Sequence, residues 1–598
     1  MEQKLRSEFP ENELWDLTAL YQDREDFLRA IEKCREDIQQ FSRNYKGKLV
    51  TFTNFEQTFA ELEQIYIQLS HIGNYAFMPQ TTDYNDESFA QIAQAGMDFG
   101  TWANVELAFF DDALVNADEQ VLEKLAQLPQ LTSAIRQAKI KKAHYLGAEA
   151  EKTLTHLSEV FYGPQDIYTK MRASDFEMAD FEVDCKLYKN SFVTYENFYQ
   201  NHENAQIREQ AFRSFSEGLR KHQNTAAASY LAQVKSEKLI ADMRGYDSVF
   251  DYLLAEQEVD RAMFDRQIDL IMSEFAPVAQ KFLKHVAKVN GLEKMTFADW
   301  KLDLDSELNP DVTINDAYDL VMKSVAPLGE EYTREIERYQ SERWVDFAAN
   351  AGKDSGGYAT DPYRIHPYVL MSWTGRMSDV YTLIHEIGHS GQFIFSDNHQ
   401  SYFNTGMSTY YVEAPSTFNE LLLSDYLEHQ FDNPRQKRFA LAHRLTDTYF
   451  HNFITHLLEA AFQRKVYTLV ENGETFGASK LNSIMKEVLT DFWGDAVEID
   501  DDAALTWMRQ SHYYMGLYSY TYSAGLVIST AGYLHLKNSE NGAQDWLNFL
   551  KSGGSKTPLD TALIIGADIS TDKPLRDTIQ FLSDTVDQII AYSEELGE

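Results

Sequence analysis

The chain has 598 residues, which is too many for one compact hydrophobic core, so we expect several domains or one large helical superstructure. It carries 54 lysines and arginines against 93 aspartates and glutamates, and the resulting net charge of −39 argues against binding to nucleic acids or anionic membrane surfaces. A hydrophobic fraction of 44 % excludes a globally disordered chain, and a total of 2 cysteines excludes a disulfide framework or a zinc–thiolate cluster.

The first residues of the sequence are polar and acidic, without the apolar segment of a signal peptide. An apolar run of about 18 residues, the length that crosses a bilayer, does not occur in the sequence. These features favour a cytoplasmic protein with no membrane partner.

Helical periodicity extends over most of the chain. Glycine (28) and proline (13) are sparse for this length, as is typical of helical proteins. Residues 211–255 and 441–470 have the apolar spacing of helices. In an earlier segment the apolar side chains recur at steps of three and four residues, at Leu62, Ile65, Tyr66, Leu69 and Ile72. The sequence therefore predicts a mainly α protein.

Three short segments predict β-strands. Residues 181–188 alternate between apolar and polar side chains, and residues 343–349 and 368–373 are the other two candidates. A glycine-rich turn at residues 352–358 separates the last two. We expect a small sheet at this point and a domain boundary near residue 200, which divides the chain into an N-terminal helical domain (1–200) and a second domain (201–598) that carries the candidate catalytic residues described next.

Residues 385–389 read His-Glu-Ile-Gly-His, the H-E-x-x-H pattern. Positions i and i+4 of a helix lie on the same face, so His385 and His389 can bind one Zn²⁺ ion. Glu386 is then placed beside the metal, where it can take a proton from metal-bound water.

The surrounding residues predict an amphipathic helix. Its apolar stripe faces away from His385, His389 and Gln392, and Asp379 or Ser378 is expected to cap its start. The stripe consists of Val380, Leu383, Ile384, Ile387 and Ile394. The motif also occurs by chance in unrelated helices, so this context is needed to support it.

A catalytic zinc requires a third protein ligand. The position six residues after His389 is Phe395, which excludes a third histidine at the spacing of the H-E-x-x-H-x-x-G-x-x-H motif. Glu413 and Glu420 are the two candidate carboxylates, about two helical turns apart. Spacing alone does not choose between them, and either can be a solvated surface residue.

Residues 511–522 are rich in histidine and tyrosine. His512, Tyr518 and Tyr522 offer neutral hydrogen-bond donors that can stabilise the oxyanion formed when an amide is hydrolysed. Tyr518 and Tyr522 are four positions apart, on one face of a helix. For any single tyrosine, a place in the core is the more common alternative.

Together these segments resemble the M3 family of zinc oligopeptidases, and most of all the bacterial oligoendopeptidase F group. The likeness is carried by residues 385–390, by the Glu-Ala-Pro-Ser segment at 413–416 and by the His/Tyr-rich stretch from His512. Residues 222–225, 244–246 and 352–358 add further matches. The resemblance runs from about residue 110 to about residue 590.

The resemblance implies a mainly α fold, a two-part helical clamshell with a deep substrate channel. The N-terminal domain would form part of the channel wall, and a small β-sheet would lie next to the zinc-binding helix. It implies one Zn²⁺ per chain, with Glu413 as third ligand and Glu420 behind it. The implied contacts with the substrate and its oxyanion are His512, Tyr518 and Tyr522, with Tyr514 and Tyr520 as alternative registers, and with Gly356 and Gly357 along the peptide backbone.

The expected activity is that of a zinc endopeptidase acting on short unfolded peptides, in which Zn-bound water activated by Glu386 attacks the scissile carbonyl. A zinc aminopeptidase is one alternative, although the sequence has no G-x-M-E-N-like segment for a substrate amino terminus. A non-catalytic helical peptide-binding protein is another, and it predicts no bound metal.

Overall fold

Helices dominate the computed structural model, which describes residues 4–305, 308, 310–354 and 356–598. Ser355, a member of the predicted glycine-rich turn, lies outside the described residues. The first eleven α-helices are α1 (Arg24–Tyr45), α2 (Phe52–Thr82), α3 (Glu87–Val115), α4 (Glu119–Leu125), α5 (Thr132–Ala143), α6 (Ala148–His156), α7 (Ser158–Lys170), α8 (Phe192–Thr194), α9 (Ala205–Arg244), α10 (Val249–Ala255) and α11 (Arg261–Leu270).

The remaining α-helices are α12 (Ala276–Val289), α13 (Ile314–Val325), α14 (Glu330–Ser341), α15 (Met377–His399), α16 (Ala414–Gln430), α17 (Pro434–His443), α18 (His456–Glu471), α19 (Ala478–Trp493), α20 (Ser519–Asn538), α21 (Gly542–Lys551), α22 (Pro558–Leu563) and α23 (Lys573–Leu596). Among the described helices, none combines the length and the apolar character needed to span a membrane.

Two large hydrophobic cores organise these helices. The first is formed by α1 to α5 and contains buried side chains from Phe27 to Ala138. The second contains buried side chains from Tyr168 to Ile589. The cores therefore separate earlier in the chain than the domain boundary predicted near residue 200, which remains a prediction.

Residues 181–188 form a hairpin, so the expectation of one continuous strand was wrong. Strands β1 (Phe181–Val183) and β2 (Lys186–Tyr188) pair antiparallel. Asp184 and Cys185 connect them with φ angles of 51° and 62°, the left-handed conformation of a tight hairpin turn. Because the apolar alternation continues through the turn, the pattern could not reveal the reversal.

A three-stranded sheet lies just ahead of α15, as predicted. It contains β3 (Val345–Asp346), β4 (Tyr358–Thr360) and β5 (Tyr368–Leu370) in the order β3-β5-β4. β3 runs parallel to β5, whereas β4 runs antiparallel to it and forms an edge of the sheet. The mainly α fold class with small sheets is thus confirmed.

Four of the described helical segments are π-helices, and the longest of them borders a cavity. Residues Arg444–Thr455 form a π-helix between α17 and α18, where an α-helix was expected. Such segments are rare and frequently mark functional sites. This one contributes several side chains to the cavity described below.

Candidate metal centre and active site

Helix α15 carries the paired histidines on a buried scaffold. The five predicted stripe residues from Val380 to Ile394 are all buried. Asp379, not Ser378, organises the start of the helix, because its Oδ2 accepts hydrogen bonds from the backbone N–H groups of Thr374 (2.7 Å) and Arg376 (3.1 Å). Gln392, predicted on the histidine face, does not reach the cavity, since it is buried and its Nε2 donates to the carbonyl oxygen of Leu550.

A close contact between α15 and α16 brings Glu413 to the histidines. A Cβ at Gly388 would lie 2.4 Å from the carbonyl oxygen of Pro415, so the two backbones approach as closely as they do only because glycine is there. Gly525 likewise lets α20 approach Glu413 closely, because a Cβ added at Gly525 would lie 3.1 Å from Glu413 Cβ. Glu413, which immediately precedes α16, is therefore held between α15 and α20.

The side chains of His385, His389 and Glu413 converge. Each histidine Nε2 lies 3.3 Å from Oε2 of Glu413, and the three candidate ligand atoms all lie within 4.8 Å of one another. Two ligands bonded to one zinc at about 2.0 Å in tetrahedral geometry are about 3.3 Å apart. The donor set, two imidazoles and one carboxylate, also fits zinc.

Glu420 lies behind this group. Its Oε1 is 2.6 Å from Nδ1 of His385, and Thr448 Oγ1 donates a very short hydrogen bond to its Oε2. A carboxylate accepts only, so a neutral His385 carries its proton on Nδ1 and directs its Nε2 lone pair toward Glu413 and His389. The two glutamates left open by spacing thus contact opposite nitrogens of the same ring.

Glu386 faces the same space without joining the three converging atoms. It is buried, and burial, the largest effect, raises the pKa of its carboxyl above the usual value. A Cβ at Gly357 would lie 3.3 Å from Glu386 Oε1, so the absence of a side chain at residue 357 leaves room beside the carboxylate. For Glu413, burial acts to raise the pKa, but His389 and His385 hold it well below its usual value.

These residues line a cavity of about 810 Å³. Its wall includes His385, Glu386, His389 and Glu413, and one side is formed by the edge strand β4 together with Gly357. Gly356 precedes this strand with φ of +90°, a conformation that favours glycine.

Lys353 anchors the glycine-rich segment to the sheet. Its side chain is 1 % exposed, and Nζ bonds Asp346 Oδ1 (2.6 Å) and the carbonyl oxygen of Met371 (2.6 Å). Burial lowers the pKa of Lys353, whereas Asp346 opposes that shift. This buried ion pair ties residue 353 to β3 and to the end of β5, and so fixes the approach to Gly357.

The predicted tyrosines divide into two groups. Tyr518 and Tyr522 line the cavity, with ring centroids 5.3 Å apart, and the His512 ring lies 5.7 Å and 5.5 Å from them. Burial raises the pKa of both Tyr518 and Tyr522, so their hydroxyls stay protonated and can donate.

Tyr514 and Tyr520, the other expected substrate contacts, lie in the core. Tyr514 stacks on Tyr168 at 4.9 Å, and the hydroxyl of Tyr520 donates to Gln257 Oε1. Helix α20 begins only at Ser519, so the tyrosines before it do not follow one helical face.

Sequence reasoning missed several cavity residues. Lys301, Asp303 and His451 line the cavity. Glu459 is not in its lining and contacts His456 and His512. Burial lowers the pKa of Lys301 to about 8 and raises that of Asp303 to about 6. Their segments carry no motif, and the π-helix that presents His451 has no periodicity that a standard helical pattern would detect.

Residues 198–581 match the sequence profile of peptidase family M3, and the chain belongs to this family, as the motifs predicted. The family match defines the class of the protein as a metallopeptidase, and its fold is mostly helical.

Relatives match over nearly the whole chain. The oligoendopeptidase F homolog of Borreliella burgdorferi is 26 % identical over 591 residues, covering 98 % of this chain and 99 % of the relative. Oligopeptidase PepF of Bacillus subtilis is 24 % identical over 592 residues, covering 98 % and 88 %.

Solved structures share the fold. A peptidase structure from Chlamydophila abortus superposes with a TM-score of 0.84 at 22 % identity and covers 99 % of this chain and all (100 %) of that one. Oligoendopeptidase-F from Enterococcus faecium gives a TM-score of 0.73 at 19 % identity, covering 96 % and 99 %.

Proposed function

We propose that the protein is a zinc-dependent endopeptidase that hydrolyses internal bonds of short, unfolded oligopeptides. In this proposal His385, His389 and Glu413 hold one Zn²⁺, and Glu386 is the general base. The supporting observation is that these four residues, which come from two separate segments of the chain, meet in the wall of a single cavity beside a sheet edge.

The local chemistry supports a resident metal. Each histidine Nε2 lies 3.3 Å from Glu413 Oε2, the separation of two ligands on one zinc. Glu420 accepts a hydrogen bond from Nδ1–H of His385, which leaves the Nε2 lone pair of the neutral ring for a metal. Zinc bound by such a set supplies Lewis acidity, which polarises a carbonyl and lowers the pKa of a coordinated water toward about 7.

Glu386 then moves the proton. Its buried carboxylate accepts a proton from the attacking water and passes it to the nitrogen of the leaving amine, as the general base and then the general acid. Burial raises the pKa of Glu386 above that of a solvated glutamate, so the carboxyl group takes up a proton more readily near neutral pH.

The opposite wall and the sheet edge would bind the peptide. An extended peptide can add to the edge strand β4, where Gly357 has no side chain to obstruct its backbone. Tyr518 and Tyr522 present protonated hydroxyls that can stabilise the developing oxyanion, with His512 beside them.

The substrate class is proposed from two observations. The relatives are named oligopeptidase and oligoendopeptidase, names that describe internal cleavage of short peptides. A cavity of about 810 Å³ holds a few residues of an extended chain and excludes a folded domain.

An internally quenched peptide with a blocked amino terminus provides the test. We expect internal cleavage that a zinc chelator abolishes and added zinc restores, with the cut site read by mass spectrometry. A requirement for a free amino terminus would instead favour an aminopeptidase, and absence of both cleavage and bound metal would favour a peptide-binding protein.

Glu386→Gln separates catalysis from metal binding. This variant should keep its zinc, because the three proposed ligands are intact, and should lose between about 10²- and 10⁴-fold in kcat. Near-normal turnover of the zinc-loaded variant would contradict the role assigned to Glu386.

A further inference from the structure

A second group of histidines and a glutamate stands close to the cavity. His456, Glu459 and His512 each offer an atom that lies within 4.8 Å of the other two. Nδ1 of His456 is 2.9 Å, and Nδ1 of His512 is 3.5 Å, from the same oxygen, Oε2 of Glu459.

The hydrogen bonds fix where the protons are. Glu459 is buried (5 % side-chain exposure), and Ser519 Oγ donates to the same Oε2 at 3.2 Å. Burial acts to raise the pKa of Glu459, but His456 and His512 hold it at about 2, so the carboxylate is charged and can only accept. Both histidines therefore carry a proton on Nδ1 and, when neutral, a lone pair on Nε2.

The π-helix extends this arrangement to the cavity. Nε2 of His456 lies 2.9 Å from Nε2 of His451, five positions earlier, a separation that a π-helical turn brings together. With its Nε2 unprotonated, neutral His456 accepts from His451. The His451 side chain lines the cavity.

At the other end the arrangement reaches a proposed substrate contact. Nε2 of His512 is 3.5 Å from the hydroxyl of Tyr522, and the Tyr522 ring stacks on His456 at 4.0 Å with an interplanar angle of 19°. A separation of 3.5 Å is long for a hydrogen bond, as is common for catalytic contacts without substrate. Glu459 thus holds two rings that both touch Tyr522.

We propose that Glu459 is a positioning residue, which fixes His512 and His456 in the Nδ1–H tautomer and thereby directs the Nε2 atom of His512 at Tyr522 and that of His456 at His451. This inference rests on the proposed function, because it assigns Tyr522 and His512 to substrate contact. It also gives Tyr522 a defined position, since the unprotonated Nε2 of His512 attracts its hydroxyl at the cavity wall, from which the O–H turns to the oxyanion when substrate binds.

The tautomers can be measured without any activity. In protein with ¹⁵N-labelled histidine, long-range ¹H–¹⁵N spectra distinguish a ring protonated at Nδ1 from one protonated at Nε2, and His512→Gln and His456→Gln variants assign the signals. We expect Nδ1–H for both rings in the wild type and a shift of His512 toward Nε2–H in Glu459→Gln. An Nε2–H tautomer of His512 in the wild type would overturn the proposal even if the protein cleaves peptides.

Kinetics then test the consequence. Glu459→Gln should lower kcat about 10²-fold, the loss typical of one transition-state hydrogen bond, with little change in KM and no change in metal content. Glu459→Asp, which keeps the charge, should recover part of the loss. An unaltered kcat in Glu459→Gln would overturn the proposal.

Glu237→Gln is the matched control. Glu237 is another buried carboxylate (8 % exposed), bonded by Tyr467 and Gln233 away from the cavity. Its amide variant should change stability but leave kcat as it is, and an equal fall in kcat would show that replacing any buried glutamate has the same effect. A second metal ion that is bound in the wild type and lost in Glu459→Gln would also contradict the proposal, because it would replace the Nδ1 protons.

Discussion

The described residues contain two groups with the same composition, two histidines and one glutamate, and the groups differ in what their atoms can do. In the first, the Nε2 atoms of His385 and His389 both lie 3.3 Å from Glu413, and a second carboxylate, Glu420, accepts a hydrogen bond from Nδ1–H of His385. In the second, one carboxylate oxygen, Oε2 of Glu459, lies 2.9 Å from Nδ1 of His456 and 3.5 Å from Nδ1 of His512 and accepts from both rings.

The contrast shows that the donor list does not define a metal site. In the first group Glu420 accepts the Nδ1–H of His385, so the Nε2 atom of that ring is free to bind a metal. In the second group Glu459 accepts the Nδ1–H of both rings, so the atoms that face this carboxylate carry protons and cannot bind a metal. The first group is thus suited to bind zinc and the second to orient side chains. Four pairs of variants test this distinction and the helix packing beneath it.

The largest effect is expected from the proposed metal ligands. His389→Ala should lose bound metal and at least about 10³-fold in activity, beyond the 10- to 100-fold typical of residues that only orient a ligand. His456→Ala should retain its metal. Elemental analysis of both variants decides the point, and equal metal loss in the two would remove the distinction between the groups.

Tyr522 should come next. Tyr522→Phe is expected to lower kcat about 10²-fold with metal content unchanged, because one hydroxyl donor is lost from the cavity wall. Tyr520→Phe is the control: its hydroxyl bonds Gln257 in the core, so the variant should lose about 1 kcal/mol of stability and keep its kcat. Steady-state kinetics and chemical denaturation measure both, and a kcat loss confined to Tyr520→Phe would reverse the assignment.

Glu420 tests how the first group is supported. Glu420→Gln should weaken zinc binding about 10- to 100-fold, because the amide no longer compels His385 to keep its proton on Nδ1. Competition with a chelator of known affinity gives the change. Glu428→Gln, on the same helix and paired with Arg444, should bind zinc as the wild type does. Equal zinc affinity in Glu420→Gln and wild type would show that Glu420 does not support the site.

The smallest effect concerns the helix contact beneath the ligands. Gly388→Ala should destabilise the protein by roughly 1–3 kcal/mol, because its methyl group would overlap the Pro415 carbonyl. Gly100→Ala, in α3 with open space around its Cα, should instead stabilise it by about 0.5–1 kcal/mol. Denaturation midpoints of the two variants should move in opposite directions, and a shift of the same sign would contradict the close contact of α15 with α16.

Particular elements show what sequence patterns can and cannot predict. The buried stripe of α15 and the sheet before it were predicted, since each depends on spacing within one short segment. The hairpin at residues 181–188 was not, because a tight turn can preserve the alternation of its strands. The π-helix at Arg444–Thr455 was also missed, because the usual helical period does not describe it.

The site divides in the same way. The sequence by itself determined the paired histidines and Glu386, because one helix places them by its own geometry. Only the tertiary structure placed Glu413 and Glu420 at opposite nitrogens of His385 and brought His512 to Glu459. It also brought Tyr518 and Tyr522 to the cavity, while Tyr514 and Tyr520 entered the core. The physical reason is that a local pattern fixes which face of an element is apolar, whereas the meeting of separate elements depends on how closely their backbones can pack, as at Gly388 and Gly525.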